Sequence, residues 1–291
     1  MSDGRFGDLV ALDPRTGERH ILTRDDYYDD HPSWGPEGRY ILFASKRHQN
    51  PLTRDMGAPD HIYRLDLSTG RIRIWGRGLT ERFEAVADEM GKPAVSPSGS
   101  KVAFATYPDT STPWGRIVIY DQVRDSVRVV ADSVTLADRI TWSADGRYLA
   151  FSAVPYGMAI QNYALFVVDL QSGKVTLMKK DEHRYTLGDL YGGRMLYKHA
   201  PDIWEAGSVT VVETADPEFM DSTRVYRFDA RGEVFDDPVY AGRDSIYVLV
   251  RDPQMDAESY EMDICVQDLT SSARRCLTGE PRSRNGLRIL R

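Results

Sequence analysis

Two short sequence units alternate along this chain, and their recurrence constrains the fold more than any other feature. The first is an apolar strand, a tight turn ending in glycine, and a second apolar strand. It reads Pro32-Ser-Trp-Gly-Pro-Glu-Gly38-Arg-Tyr-Ile-Leu-Phe43, then Pro93-Ala-Val-Ser-Pro-Ser-Gly99-Ser-Lys-Val-Ala-Phe104, then Ile140-Thr-Trp-Ser-Ala-Asp-Gly146-Arg-Tyr-Leu-Ala-Phe151. Weaker copies run through Gly193 and Gly242, and a shortened one spans Pro281–Ile289. The second unit is a hairpin with period-2 alternation around an Asp/Ser/Thr/Gly turn. Its copies are Gly7–Thr23, His61–Trp75, Arg116–Ala131, Ala164–Met178, Gly207–Phe228 and Met262–Thr278. Leu79–Met90 is the one stretch whose pattern suits a short helix.

The glycines from Gly38 to Gly286 recur about every 50 residues, a spacing that belongs to propeller-type repeats. The turn residues have a local task. In Ser143-Ala-Asp-Gly146 the short polar side chains reach nearby backbone amides, and glycine accepts positive φ without steric cost. Asp13, Asp66 and Asp169 read as the same device in the second unit, structural rather than catalytic. Unit order adds a topology. The chain opens on the second half of one repeat and closes on the first half of another, as in a ring sealed by pairing its two ends. The expected fold is therefore all-β, a six-bladed propeller of four-stranded antiparallel blades. Closure would pair N-terminal outer strands with C-terminal inner strands, in one domain over residues 1–291. Met1-Ser2-Asp3-Gly4 reads as the end of an inner strand, and the last copy stops at Arg291, so a fragment of a longer chain remains an open alternative.

The pattern Pro-Ser-Trp-x-Pro-x-Gly-Arg-Tyr-Ile-x-Phe, paired with Leu-Asp-x-x-Thr-Gly, resembles the repeats of TolB-like (WD40-like, PD40) propellers. The resemblance spans nearly the whole chain, is strongest at Gly38, Gly99 and Gly146, and weakens at Gly193 and Gly242. It implies the fold. It leaves function open among periplasmic scaffolds, propeller domains attached to serine peptidases, and polysaccharide lyases.

Composition narrows the partners. A formal net charge of −7 argues against broad affinity for nucleic acid or anionic lipid. No apolar run approaches the roughly 18 residues of a membrane helix, and Met1–Val10 lacks a signal-peptide pattern. The nucleophile elbow Gly-x-Ser-x-Gly is absent, as is a phosphate-binding glycine loop. The six histidines are scattered without the close helical pairs of zinc hydrolases, so no metal or cofactor is expected. Cys265 and Cys276 fall on the two arms of the last hairpin. Aligned on His61–Trp75 they sit opposite each other like Tyr63 and Ile74, which makes a cross-strand disulfide geometrically feasible and points to an oxidising, extracytoplasmic compartment, periplasmic or secreted. Two free, packed cysteines are the alternative.

Function should sit on the loops around the channel mouth. These are acidic and aromatic, as in Arg24-Asp-Asp-Tyr-Tyr-Asp-Asp-His31. The residues just ahead of each inner strand should rim the channel: Asp30, His31, Lys92, Asp138, Arg139, Asp236, Asp237 and Glu280, with Trp114 and Trp204 on the middle loops. The acidic bias of such a face suits a basic peptide segment, a cation or a polyol rather than an anionic polysaccharide such as pectate, and the partner is expected to be a protein or peptide. The expectation is a monomeric, non-catalytic binding or scaffold propeller. The alternatives are a lyase or hydrolase at the channel mouth, with Asp30, His31, Lys92, Arg139 and Asp237 as acid, base and charge stabilisers, or the gating propeller of a larger serine peptidase.

Overall fold

A computed structural model describes residues 7–48, 60–87, 89–107, 114–135, 137–159, 162–178, 183–200, 210–216, 219–227, 234–251, 261–271, 273–278 and 282–283. They fall into two compact units, one within Met1–Trp142 and one within Ser143–Ile289.

The first unit holds β1 (Val10–Leu12), β2 (Arg19–Ile21), β3 (Asp29–Trp34), β4 (Tyr40–Ser45), β5 (His61–Asp66), β6 (Ile72–Ile74), α1 (Leu79–Arg82), β7 (Glu89–Val95), β8 (Lys101–Tyr107), β9 (Gly115–Asp121), β10 (Ser126–Thr135) and β11 (Ile140–Trp142). Strands β1 and β2 form a two-stranded sheet, and β3–β6 and β7–β10 are antiparallel meanders in chain order. The second unit holds β12 (Tyr148–Pro155), β13 (Ala164–Asp169), β14 (Val175–Met178), β15 (Arg184–Tyr191), β16 (Arg194–Ala200), β17 (Thr210–Asp216), β18 (Phe219–Arg227), β19 (Val234–Tyr240), β20 (Ser245–Arg251), β21 (Glu261–Asp268), β22 (Arg274–Cys276) and β23 (Arg282–Ser283). Here β12–β14, β15–β18 and β19–β22 are again antiparallel meanders, and β23 lies on the start of β21. Among the described residues no sheet closes on itself, and residues 284–291, the expected partner of β1–β2, lie outside them. The helix expected over Leu79–Met90 shrinks to α1, which ends where Phe83 turns to extended backbone, and β7 begins at Glu89.

The repeated letters produce repeated geometry. Asp66 Oδ1 accepts from the amides of Ser68 and Thr69 at 3.1 and 3.0 Å, and Gly70 at φ 68° donates to the Asp66 carbonyl at 2.8 Å. Asp169 and Asp268 form the same turn with the amides of Gln171 and Ser172, and of Thr270 and Ser271. The residue after each such aspartate, or its counterpart Gln122 after Asp121, then braces the neighbouring turn. Leu67 bonds to the Arg39 carbonyl, Gln122 to Ser100, Leu170 to Arg147 and Leu269 to Asp244, all within 2.8–3.1 Å. The Leu269 bond shows that the weak copy around Gly242 closes its turn like the strong ones.

Strands β4, β8 and β12 are buried on both faces along most of their length, and one residue type recurs at the same buried place in each. Phe43, Phe104 and Phe151 hold equivalent places on β4, β8 and β12, and each is fully buried. Phe43 packs with Tyr63, Phe104 edge-on to Trp75, and Phe151 stacks on Phe166 at 4.8 Å. Burying a phenylalanine is worth roughly 1.5–3 kcal/mol in transfer free energy, so Phe43 and Phe151 hold strands of their own meanders together, while Phe104 packs on the preceding one through Trp75.

Candidate functional site

Every complete meander starts on an irregular strand. The pairing slips between Asp30 and Ser33 on β3, Gly91 and Ala94 on β7, Leu187 and Asp189 on β15, and Asp236 and Val239 on β19. His31 and Lys92 sit in the first two of these bulges at φ 47° and 55°. A side chain in this left-handed region costs energy that glycine would not, and such backbone is retained where the surroundings fix it. Bulges re-aim side chains. His31 and Lys92 therefore lie inside β3 and β7 rather than ahead of them, because the ladder begins two or three residues upstream.

Backbone bonds place the start of one meander on the previous one. Asp29 donates to the Gly7 carbonyl at 2.8 Å, Met90 to Asp60 at 2.9 Å and Tyr185 to Tyr163 at 3.0 Å. The Met90–Asp60 bond gathers a charged cluster at the starts of β3, β5 and β7. Asp30 Oδ2 lies 3.1 Å from His31 Nε2, with side-chain exposures of 16% and 18%. Lys92 Nζ is in hydrogen-bond contact with the same ring nitrogen. Burial pushes the Asp30 carboxyl up, but His31, Lys92 and Lys46 outweigh it and hold the group below its usual range. Asp60 moves the other way, raised by burial and by the charge of Asp30, against Lys46, Lys92 and His31. Glu89 is likewise raised by burial and by Asp60. Beside the cluster the rings of His48 and His61 meet edge-on at 3.9 Å, and burial with the His61 charge pushes His48 down to about 4.

One shell further in, Arg47 Nη2 meets Asp29 Oδ2 at 2.6 Å and Nη1 meets Asp25 Oδ2 at 3.0 Å. The guanidinium also lies over the rings of Tyr27, Phe43 and Tyr63. It ties the Arg24–His31 loop to β4 and β5, a structural task.

The other expected residues distribute unevenly. Asp138 and Arg139 stand directly ahead of β11, and Arg139 is only 3% exposed. Trp114 is half-buried at the start of β9. The backbone of Asp236 and Asp237 runs along β19 in the bulge equivalent to Asp30 and His31, while their side chains, Trp204 and Glu280 lie outside the described residues. Sequence reasoning missed Asp60 and Lys46, which have no repeated motif of their own; the Met90–Asp60 bond brings in Asp60, and Lys46 follows directly on β4. Among the described residues no group of three or more His, Cys, Asp or Glu side chains is arranged to hold a metal ion, and no helix is long and apolar enough to cross a membrane. Cys265 and Cys276 face each other across β21 and β22, and their sulfurs are bonded at 2.00 Å.

No family model matches the chain, and no curated protein sequence does either. Solved structures do. One assigned as TolB of Agrobacterium tumefaciens is 16% identical, with a TM-score of 0.68 over 95% of this chain and 90% of that one. A puromycin-hydrolysing peptidase of Mycobacterium tuberculosis is 15% identical with a TM-score of 0.58, over 97% of this chain and 41% of that one. An oligogalacturonate lyase in complex with manganese is 14% identical with a TM-score of 0.55, over 96% of this chain and 74% of that one. At such identities the likeness carries the architecture and not the activity: the antiparallel meanders, the shared turns and the structural match together give this chain a TolB-like propeller fold.

Proposed function

We propose that this chain is a non-catalytic binding propeller that engages a protein or peptide partner through the end at which β3, β5 and β7 begin. The observation that supports this reading most is the Asp30–His31–Lys92 cluster. Charged groups of both signs are gathered there, half-buried, on bulged strands whose left-handed residues fix their direction. Rigid, partly desolvated charges of this kind give a surface specificity for one partner over others. The reading includes six blades, closure between the chain ends, a single domain and a monomer. The Cys265–Cys276 bond favours an oxidising, extracytoplasmic setting.

The test is affinity enrichment from an extract of the source cells with three forms of the protein. Wild type and the control variant Lys101→Met, altered at the far end of β8, should retain the same partner. The double variant Asp30→Asn/His31→Ala should lose it while melting like wild type. Equal retention by all three forms would count against this face.

A second reading is favoured by the same cluster. An acid, a histidine and a lysine within hydrogen-bonding reach can supply proton transfer, as a lyase or hydrolase would need, and the propeller could equally gate a larger peptidase. Turnover of a glycan or peptide library that disappears with His31→Ala would favour catalysis over binding.

A further inference from the structure

Two histidines far apart in the sequence meet at the start of the β15–β18 meander. His183 stands one residue ahead of β15, and His199 pairs with Tyr185 near the end of β16. Side chains two apart on a strand share a face, so His183, Tyr185 and His199 line one side of this ladder. His183 Nδ1 lies 2.9 Å from His199 Nε2, and both rings are half-buried. The buried Tyr185 ring packs on His199 at 4.7 Å and on Tyr197 at 6.0 Å, which limits where the His199 ring can lie. By the same alternation Arg184 takes the opposite face, where its guanidinium covers the Tyr163 ring at 4.3 Å.

A shared proton accounts for part of this geometry: one ring nitrogen donates and the other accepts. A straight bond of that length would hold the ring centres about 5.2 Å apart. They stand at 4.9 Å with 36° between their planes, so the rings lean off the bond line. Two imidazole nitrogens 2.9 Å apart, each at about 2.0–2.1 Å from one ion, subtend roughly 90° at it. That is the cis angle of a square-planar or octahedral ion, whereas a tetrahedral one needs about 3.3–3.4 Å between its ligands. Among divalent ions that take imidazole, this selects Cu(II) or Ni(II) over Zn(II), and Cu(II) is held more tightly. No thiolate competes for the ion, because both cysteines of the chain are joined to each other.

We propose that His183 Nδ1 and His199 Nε2 form a two-histidine Cu(II) site, with water in the remaining positions. The ion takes the place of the shared proton. The imidazole that donated carries its proton on the outer nitrogen instead, so both facing nitrogens present lone pairs. Two protein ligands leave open positions, as suits an exchangeable ion rather than a structural one. The site counts only these two imidazoles: Asp181, Glu182 and Asp202, close by in sequence, lie outside the described residues. It stands apart from the partner-binding reading of the Asp30–His31–Lys92 face.

The experiment titrates Cu(II) into the full, disulfide-bonded chain at about pH 7.5, with glycine as competitor so that weak surface sites stay empty. Wild type should take up one equivalent and show the nitrogen couplings of two imidazoles in pulsed electron paramagnetic resonance. His183→Gln and His199→Gln should each bind at least about tenfold more weakly and show one imidazole at most. His48→Gln/His61→Gln, which removes the other close histidine pair, should bind like wild type. Zn(II) should bind wild type more weakly than Cu(II) does. Added Cu(II) should raise the Tm of wild type and of neither single variant, which separates loss of the site from loss of the fold. Should a single variant fail to fold, the His48→Gln/His61→Gln chain decides alone, since it must keep both imidazole couplings. No uptake by wild type, or a one-imidazole signal, would overturn the proposal. Unchanged uptake by both single variants would mean an adventitious site elsewhere and would overturn it equally.

Discussion

Asp189 Oδ2 accepts the backbone amide of Tyr240 at 2.9 Å, joining two nearly buried residues that lie 51 positions apart. Ser33 does the same for Val95 at 3.0 Å in the other unit, 62 positions away. Both acceptors sit at the downstream edge of a bulge, and both donors sit one residue further along the inner strand of the next meander. The relation is a repeat-encoded brace between inner strands. Asp189→Ala should cost about 2–3 kcal/mol, because it strands a buried amide without a partner, while the more exposed Ser33→Ala should cost about 1 kcal/mol. Urea unfolding of the two variants checks the order, and equal costs would contradict it.

Glycine at the bulge answers a question of space. A Cβ on Gly188 would lie 2.4 Å from the Pro238 carbonyl and 3.0 Å from that of Leu196, whereas one on Gly91 would meet nothing within 4 Å. Gly188→Ala should therefore destabilise by about 2–3 kcal/mol, in the range of overpacking. Gly91→Ala should be neutral within about 0.5 kcal/mol. Denaturant midpoints of the pair give the comparison.

Asp60 and Glu89 lie at a cost to stability. Their folded pKa values stand above the ordinary 3.8 and 4.5, so the folded state binds protons more readily than the unfolded one. The destabilisation is full above the raised values and disappears as pH falls through them towards 3.8 and 4.5. Asp60→Asn should raise Tm by roughly 1–3 °C at pH 7 and by less at pH 4.5. The turn aspartates Asp66, Asp169 and Asp268 have the opposite sign. Hydrogen bonds hold their carboxyls below the usual range, so their contribution is present above pH 3.8 and is lost as pH falls further. Melting curves between pH 7 and 3 read both effects, and a lower Tm for Asp60→Asn at pH 7 would contradict the first.

The bond between Cys265 and Cys276 spans 11 positions and fastens the short outer strand β22 to β21. Opening so short a loop costs about 2–3 kcal/mol in the chain-entropy view. Cys276→Ala should lower stability by that amount, and thiol titration of the unfolded, unreduced protein should find no free cysteine. Two titrating thiols would contradict the bond.

What could be read from the sequence was whatever is local or repeated. The Asp66 and Asp169 turns need only residues within five positions, and the Cys265–Cys276 pairing needs only the alignment of one hairpin on another. The Asp30–His31–Lys92 cluster was legible because the repeat marks equivalent positions along successive inner strands. Depth was not. Arg139 occupies the same place in the repeat as His31 and Lys92, yet it is buried, since its neighbours decide its exposure. Asp60 was invisible for a related reason: the bond that brings Asp60 to Met90 joins two meanders, and no letter in either segment announces it.

The central claim is that the partner docks at the starts of β3, β5 and β7. Backbone hydrogen–deuterium exchange, with and without the retained partner, tests it most directly. The expected result is added protection over residues 25–33, 60–62 and 87–92, with no change in the turns at Asp66–Gly70 and Asp121–Asp125. Protection confined to those turns, with the Asp30–His31–Lys92 segments unchanged, would contradict the claim.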